Sequence, residues 1–364
     1  MTPSISRAAA ILSVALLGCG DTPGTAATAV RDSAGIEIIE NDVDVDALPV
    51  WRLADEPSLS IGDAIPSLDY VLDRVYYARS FPDGRVLVSM GLTEMRIFDA
   101  EGTHLRTIGR EGEGPGEFLF LWDAHPLGDD RIRALDIRNR RVGFFDAHGG
   151  ELLGEVPLVT HWSNPNGVGL LADGRYAGVL PRYSSDPPGT PDLRLVVHDR
   201  DATASDTIAA FSVPDRPQPR EGVQAMYEPY FSSTAAGMHV WAGWEGHYEV
   251  KRYDADTGLD RIIRSSVPAL PVTSEMEDAG GPSVSEGPVT WDRVYPNHLP
   301  YWDKVLASPS GWLWVRRYPS PIEDEHNTWD VFDPSGVHTA LIRIPLSARI
   351  SELGDDYVLG VFRN

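Results

Sequence analysis

Apolar and polar residues alternate along short stretches of this chain, and turn-forming residues such as Asp and Gly separate the stretches. Two segments, residues 81–109 and residues 126–156, follow the same plan. Each has an alternating strand, a variable loop, a second strand that ends in Phe-Asp, a glycine turn and a third strand. Period-two alternation broken by such turns is typical of β-strands. The pattern therefore predicts an all-β protein.

The repeated unit predicts the architecture. Its first turn recurs with spacings of 46, 44, 63, 74 and 45 residues, so three spacings share a period and two carry insertions. A period near 45 residues with about four strands is typical of a β-propeller blade. Six turns predict six blades, at Asp83-Gly84, Asp129-Asp130, Asp173-Gly174, Ala236-Gly237, Ser310-Gly311 and Asp355-Asp356.

The two ends of the chain complement each other. Only residues 357–364 follow the sixth turn, so the last blade lacks its outer strands there. Matching strands occur at the other end, in residues 30–41 and 51–62. We expect a six-bladed β-propeller whose last blade is closed by N-terminal strands, an arrangement that removes two open sheet edges. A β-sandwich, the competing fold, does not explain why the missing half-blade is at the N-terminus.

The glycine-rich stretch IGREGEGPGEF, residues 108–118, joins one predicted blade to the next. A phosphate-binding loop would need a following helix with a Lys-Ser/Thr pair, and neither is present. We expect a crossing loop in which glycines permit unusual backbone angles, proline stiffens the path and Phe118 plugs the gap between blades. Arg110 or Glu117 contributing to a ligand surface remains an alternative. The predicted structural loop comprises Gly112, Gly114, Pro115, Gly116, Glu117 and Phe118.

The N-terminus predicts export. Arg7 precedes an apolar run at residues 8–17, which suits a signal-peptide core and is too short to span a membrane. The run ends in LLGC, which resembles a lipobox with Cys19 as the lipidated residue. An ordinary signal peptide with an incidental cysteine is the alternative. The predicted organisation is a signal peptide at 1–18, a tether at 19–29 and a propeller at 30–364.

Charge narrows the range of partners. The chain has 31 basic and 54 acidic residues, a formal net charge of −23, and only two lysines, Lys251 and Lys304. Such a surface repels a phosphate backbone, which argues against nucleic acid as a partner. Cys19 is the only cysteine, so no disulfide forms within the chain. We expect a monomer that meets the membrane only through its N-terminal lipid.

Three segments resemble a known group: GREGEGPGEF at 109–118, ALDIRNRRVGFFD at 134–146 and ELGDDYVLGVF at 352–362. They are similar to bacterial six-bladed β-propeller lipoproteins related to NHL-repeat and TolB-like propellers. The resemblance implies the fold but little about function, because propellers support many activities. It also implies that Asn139 and Arg141 brace one blade against its neighbour. This chain stops earlier than the group usually does, so strand pairing in the closing blade is expected to be short.

Candidate binding residues come from the face where the second and third strands of each blade connect, because those loops converge around the channel. This face also receives the long insertion 272–304, in which SEMEDA could form one or two helical turns, and the loop 182–192. Aromatic and guanidinium groups there suit stacking on sugars, peptide side chains or anions. Packing within the core is the alternative for each ring. The candidates are Arg138, Arg140, Trp244, His247, Tyr248, Trp302, Tyr318 and His326.

The sequence offers only a weak metal site. Glu323, Asp324 and Glu325 beside His326 could bind a hard cation such as calcium, although a charge run is usually a solvated loop. The sequence contains no recognisable catalytic or zinc-binding motif: no Ser-His-Asp order, no His-Glu-x-x-His helix and no paired cysteines. No catalytic residue is therefore assigned.

Two functions remain. The favoured one is a lipid-anchored module of the bacterial cell envelope, at the outer membrane or periplasmic face, that needs no cofactor and binds a carbohydrate, peptide or envelope protein. The other is a lactonase-like or esterase-like hydrolase with calcium in its channel. The hydrolase would require acids from several blades to converge there, with Glu94, Glu245 and Glu325 as candidates.

Overall fold

Short strands precede the repeated part of the chain. The computed structural model describes residues 7–13, 27–54, 56–62, 67–72, 74–158, 169–181, 193–212, 223–280, 284–286, 289–322 and 325–363. Short 3-10 turns cover Val45–Ala47 and Leu68–Tyr70. Each of the first five strands joins a sheet that later strands build. They are β1 (Arg7–Ser13), β2 (Ala27–Ser33), β3 (Ile36–Asp42), β4 (Val50–Trp51) and β5 (Leu59–Ile61).

The first three blades are sheets of four consecutive antiparallel strands. Blade 1 contains β6 (Val75–Ser80), β7 (Val86–Met90), β8 (Glu94–Phe98) and β9 (His104–Ile108). Blade 2 contains β10 (Leu121–Leu127), β11 (Arg131–Asp136), β12 (Arg141–Asp146) and β13 (Leu152–Pro157). Blade 3 contains β14 (Gly169–Leu170), β15 (Tyr176–Pro181), β16 (Leu193–His198) and β17 (Ser205–Phe211).

The later blades carry the insertions. Strand β18 (Val223–Ala225) precedes blade 4, which contains β19 (Phe231–Ala236), β20 (His239–Trp244), β21 (Glu249–Asp254) and β22 (Gly258–Ser265). The next insertion holds helix α1 (Ser274–Ala279), β23 (Val284–Glu286) and β24 (Val289–Val294), and β24 pairs with both β18 and β23. Blade 5 contains β25 (Trp302–Ala307), β26 (Leu313–Arg317), β27 (His326–Phe332) and β28 (His338–Pro345), and blade 6 begins with β29 (Ala348–Leu353) and β30 (Tyr357–Arg363).

Helix α1 confirms the helical turn expected at SEMEDA. Thr273 begins the helix, because its hydroxyl oxygen accepts a hydrogen bond from the backbone N–H of Met276 at 3.3 Å. Met276 is buried, whereas Glu275 and Glu277 lie in the first turn, where acidic side chains are favourable. The helix and the small sheet of β18, β24 and β23 both belong to the long insertions between blades.

N-terminal strands complete the last blade, and one of them, β5, lies within the residues expected to do so. The strand order in blade 6 is β29-β30-β1-β5. The prediction is wrong for residues 30–41, which do not join blade 6, and β1 (Arg7–Ser13) occupies the place beside β30 instead. They form the hairpin β2–β3, which extends blade 4 through parallel pairing of β3 with β22, and β4 extends blade 5 beside β28.

Buried polar contacts explain where the hairpin docks. The Asn41 side chain donates to the carbonyl oxygens of Arg264 (3.1 Å) and Gly336 (3.0 Å) and accepts from the N–H of His338 (3.0 Å). Arg264 also forms an ion pair with Glu40 at 2.8 Å. Because Asn41 is only 2% exposed, these three bonds fix β3 at the junction of blades 4 and 5.

Strand β1 lies inside the segment for which the sequence predicts a signal peptide. It pairs with β30 from Arg7↔Arg363 to Ser13↔Tyr357 and with β5 from Ala9↔Ile61 to Ile11↔Leu59. In a chain cleaved before Cys19, this strand would be absent and β30 and β5 would lose their shared neighbour. Cys19 itself and most of the tether lie outside the described residues.

Hydrophobic packing between neighbouring blades closes the ring. The buried apolar residues form six clusters, and each joins side chains of two adjacent blades. In the cluster between blades 6 and 1, for example, Leu359 packs with Val88 and Phe98. The innermost strands β6, β10, β14, β19, β25 and β29 consequently surround a central channel.

Candidate functional site

The crossing loop at 108–118 is built around Phe118. Its ring is 2% exposed and packs with Ile108 of blade 1 and Phe145 of blade 2, with 5.7 Å between the two phenylalanine centroids. Gly109 has φ +87°, and a Cβ atom there would lie 2.4 Å from the Phe118 ring. The close approach requires glycine at this position. Phe118 therefore fills the gap between blades.

Polar groups of blade 2 hold the same loop. Asn139 donates to the carbonyl oxygen of Gly112 at 3.0 Å, and Arg141 donates to those of Gly114 (2.7 Å) and Glu117 (2.6 Å). The Glu117 carboxylate accepts from the Gly114 N–H at 2.8 Å and from Arg110. The Glu117 carboxylate is therefore bonded within the loop. Asn139 and Arg141 of blade 2 hold the loop that arrives from blade 1, which is the bracing role that the resemblance implies.

Two of the candidate binding residues are buried. Tyr248 is 6% exposed and donates to Asp330 Oδ2 at 2.5 Å, and burial raises the pKa of its hydroxyl well above the usual value. Trp302 is fully buried, and its indole N–H donates to the carbonyl oxygen of His247 at 2.9 Å. Both side chains pack in the cluster between blades 4 and 5, so packing, the alternative interpretation, holds for them.

The remaining candidates lie at several positions of the propeller. Trp244 and His247 line a cleft of about 170 Å³ beside Phe211. Arg138 and Arg140 are exposed on the turn between β11 and β12, and His326 is exposed at the start of β27. Only Tyr318 lines the central channel. Of the predicted aromatic and guanidinium rim, Tyr318 is thus the residue that lines the channel. Residues 182–192, Glu323 and Asp324 lie outside the described residues.

The central channel is a large concave feature of the structure. Its cavity has a volume of about 1100 Å³ and is lined by residues from all six innermost strands. Seven aromatic residues line the cavity, and Tyr230 among them is 60% exposed. Burial raises the pKa of Tyr318 to about 12, so its hydroxyl stays protonated at neutral pH. The seven are Tyr76, Tyr77, Trp122, Tyr230, Phe231, Tyr318 and Tyr357.

One acid of the channel belongs to a buried network. Asp123 accepts from Tyr176 (2.8 Å), and its carboxylate lies 2.8 Å from the His125 ring. Burial acts to raise the pKa of Asp123, but the charges of His125 and Arg79 outweigh it and the pKa is lowered. The guanidinium of Arg133, which is 1% exposed, stacks 3.9 Å from the centroid of the Tyr176 ring. This network ties blade 2 to blade 3 beside the channel.

The other acids of the channel are also bonded. Glu245 accepts from the hydroxyl of Ser232 (2.7 Å) and the N–H of Tyr230 (2.8 Å), and burial raises the pKa of its carboxyl group. Asp303 receives two parallel bonds from Arg316, at 2.6 and 2.7 Å. Glu352 accepts from Ser80 and from Tyr357. All four carboxylates that line the cavity are thus engaged by protein donors.

Three cationic side chains lie in the same cavity: Arg79 of β6, Lys304 of β25 and Arg349 of β29. Lys304 Nζ donates to the carbonyl oxygen of Ile350 at 2.8 Å, and Arg79 donates to that of Ser351 at 2.5 Å. Burial and the charges of Arg316, Arg349 and Arg79 lower the pKa of Lys304 to about 7. Backbone carbonyl oxygens of β29 therefore bind cationic side chains from the two neighbouring blades.

The described residues contain no group of three or more His, Cys, Asp or Glu side chains that could hold a metal ion. Of the acids proposed to converge, only Glu245 lines the channel. Glu94 is paired with Arg96 at 2.8 Å, and Glu325 is exposed next to β27. No helix within the described ranges is long and apolar enough to cross a membrane.

The cationic residues of the channel are not among the candidates that the sequence predicts. Those candidates belong to predicted connecting loops, whereas Arg79, Lys304 and Arg349 are on innermost strands. One signal was available: Lys304 is one of only two lysines, and it stands in a mainly apolar strand sequence, YWDKVLA.

Comparisons with known proteins support the architecture. The sequence profile of a family described as a 6-bladed beta-propeller matches residues 79–168. The chain is similar to a Bacteroides fragilis protein described as exported, with a TM-score of 0.51 and 15% identity over 82% of this chain and 81% of that chain. A duf4221 family member from Bacteroides vulgatus has a TM-score of 0.47 and 13% identity, over 80% and 94% of the two chains. No curated protein matches in sequence. The fold of this chain is a six-bladed β-propeller.

Proposed function

We propose that the protein is an extracytoplasmic binding module that takes a carbohydrate or peptide group, free or carried by an envelope protein, into its central channel. The observation that carries this proposal is the cavity of about 1100 Å³ among the six innermost strands. Binding sites for small ligands have volumes of about 300–1,000 Å³ and combine apolar walls with a few polar groups. The channel is slightly larger than this range and has the same mixture of apolar and polar groups.

The aromatic side chains of the channel suit such a ligand. Tyr230 and Tyr318 offer ring faces on which a sugar or a peptide side chain can stack. Ser232 and Glu245 add hydrogen-bonding groups next to Tyr230. A ligand bound there would displace water and make both stacking contacts and hydrogen bonds.

Two observations support an extracytoplasmic location. Near the N-terminus, Arg7 precedes an apolar run and Cys19 in a lipobox-like context. A protein similar in fold, from Bacteroides fragilis, is described as exported. Acylation of Cys19 would anchor the propeller to the cell envelope through a short tether.

A fluorescence titration tests the binding proposal. The purified protein is titrated with neutral oligosaccharides and capped peptides, and Trp122 in the channel wall reports occupancy. Tyr230→Ala is expected to weaken binding about tenfold, whereas Leu153→Ala, at a similarly exposed position on the outer strand of blade 2, is expected to leave it unchanged. Equal affinity in both variants would contradict a channel site.

The hydrolase alternative makes a different prediction. It requires a metal in the channel, and elemental analysis of the purified protein would then find one calcium per chain and a lower melting temperature after chelation. A binding module without metal should be indifferent to the chelator.

A further inference from the structure

The two long insertions of the chain meet beside the channel. Strand β18, from the segment between blades 3 and 4, pairs in parallel with β24, from the segment between blades 4 and 5. The rings of Tyr227 and Tyr295, which follow these strands, lie 5.8 Å apart, and their hydroxyls donate to the carbonyl oxygens of Met276 (3.0 Å) and Glu277 (2.9 Å) in α1. The Tyr227 ring also lies 6.4 Å from that of Tyr318, which lines the channel. The insertions therefore reach the channel wall through Tyr227.

Tyr230 presents an open ring in the same part of the channel. Its side chain lines the cavity and is 60% exposed, yet its backbone is fixed. The N–H of Tyr230 donates to the Glu245 carboxylate at 2.8 Å, and its carbonyl oxygen accepts from the Glu245 N–H at 3.0 Å. Burial, and then the negative charges of Asp303 and Glu245, raise the pKa of the Tyr318 hydroxyl to about 12. Because a charge acts most strongly over short distances, both carboxylates lie near the Tyr318 ring.

The Asp303 carboxylate can accept further hydrogen bonds. Asp303 lines the cavity, and its side chain is 19% exposed. Arg316 donates one bond to each carboxylate oxygen, at 2.6 and 2.7 Å. A carboxylate has about four lone-pair sites, so about two remain for a ligand. Because Arg316 already balances the charge of Asp303, these sites suit a neutral donor such as a hydroxyl group better than a cation.

We infer that Tyr230, Tyr318 and Asp303 form a subsite for a neutral sugar ring, in the part of the channel that the insertions border. A pyranose has an apolar C–H face that can stack on an aromatic ring, and its edge carries hydroxyl groups that donate to a carboxylate. A peptide backbone offers only one N–H donor per residue. The lining of the channel holds four carboxylates and three cations, a near balance that favours a ligand without net charge. The inference rests on the proposed function, because it names the class of ligand bound in the same channel.

Ligand-observed NMR on the full chain tests the inference. Saturation-transfer difference spectra are recorded with cellotriose, maltotriose, xylotriose and chitotriose, and with capped tripeptides of alanine and serine as the comparison. We expect at least one trisaccharide to bind saturably and to receive most saturation at its ring C–H protons. Tyr230→Ala and Asp303→Asn should each raise its dissociation constant at least tenfold.

Asp260→Asn is the matched control for Asp303→Asn. Asp260 also receives two parallel bonds from an arginine, Arg252, at 2.9 and 2.8 Å, but it stands on β22, the fourth strand of blade 4. Both substitutions remove one carboxylate from an arginine pair of the same geometry. Asp260→Asn should therefore leave the dissociation constant of the trisaccharide unchanged.

The outcomes separate the inference from the proposed function. Trisaccharide binding that is weakened in Tyr230→Ala and Asp303→Asn, and kept in Asp260→Asn, supports the subsite. Absence of trisaccharide binding, or wild-type affinity in a folded Tyr230→Ala or Asp303→Asn variant, overturns it. Tyr230→Ala changes an exposed side chain and decides the test if Asp303→Asn does not fold. If the capped tripeptides bind and the trisaccharides do not, the channel remains a binding site and only the sugar assignment fails.

Discussion

The amine of Lys304 donates a hydrogen bond to the carbonyl oxygen of Ile350, 2.8 Å away on the next blade. This bond joins blade 5 to blade 6 at the wall of the channel and points a cationic group toward the cavity. The guanidinium of Arg79 reaches the adjacent carbonyl oxygen, that of Ser351, from blade 1. One short segment of β29 thus organises the charged part of the channel.

Phe118→Ala should destabilise the junction of blades 1 and 2. The ring is buried between Ile108 and Phe145, and its removal leaves a cavity that the rigid blades cannot fill. Large-to-small substitutions of this kind lower the free energy of unfolding by about 3–5 kcal/mol. Chemical denaturation measures the change. Leu105→Ala, on the outer strand of blade 1 and 48% exposed, is the control and should change it by less than about 0.5 kcal/mol.

Much of this fold is readable from sequence because each blade repeats the same local pattern. The six turns lie between the first and second strands of their blades, and Phe118 occupies the gap between two blades. The hairpin β2–β3 was misplaced because its docking depends on three bonds of one buried residue, Asn41, to blades 4 and 5. The alternation of apolar and polar residues within a strand does not predict contacts of this kind.

The channel site was hidden for a different reason. Arg79, Lys304 and Arg349 are far apart in the sequence and meet only when blades 5, 6 and 1 close the ring. Tyr248 and Trp302, by contrast, look like binding residues in sequence but point into the interface between blades 4 and 5. The side of a strand on which a ring lies depends on register, and the pairing of β25 with β26 shifts between Trp302 and Lys304.

Asp330→Asn should lower the free energy of unfolding at neutral pH. The Asp330 carboxylate is fully buried and is bound by Arg317 at 2.7 Å and by Tyr248, so its loss leaves Arg317 without its anion. Breaking such a pair lowers the free energy of unfolding by about 3–5 kcal/mol. Chemical denaturation at pH 7 measures the loss, and Asp356→Asn, on an exposed turn, should have little effect.

The cost of Asp330→Asn should also depend on pH. Burial acts to raise the pKa of Asp330, but hydrogen bonds from His338 and Arg317 outweigh it and lower the pKa in the folded state. The stabilising contribution of the carboxylate is therefore complete above the unfolded-state pKa of about 4 and is lost as the pH falls through the lower folded-state value. The difference between wild type and variant should shrink in acid. A difference that is independent of pH would contradict this assignment.

Strand β1 should stabilise any chain that retains it. It lies between β30 and β5, and Ala9 pairs with both Val361 and Ile61. An uncleaved chain is expected to melt at a higher temperature than the form that begins at Cys19. Proline at position 9 removes a backbone N–H from a central strand, so Ala9→Pro in the uncleaved chain should remove the advantage. Equal melting temperatures for all three proteins would show that β1 contributes nothing.

The binding role of the channel is tested most directly by blocking it. Thr234 of β19 lines the cavity, and Thr107 is an exposed residue on the outer strand of blade 1. The measurement is the dissociation constant of a ligand found in the fluorescence titration, for Thr234→Trp and for Thr107→Trp. We expect Thr234→Trp to weaken binding at least tenfold while Thr107→Trp retains the wild-type value. Undiminished binding by a folded Thr234→Trp variant would contradict the channel as the binding site.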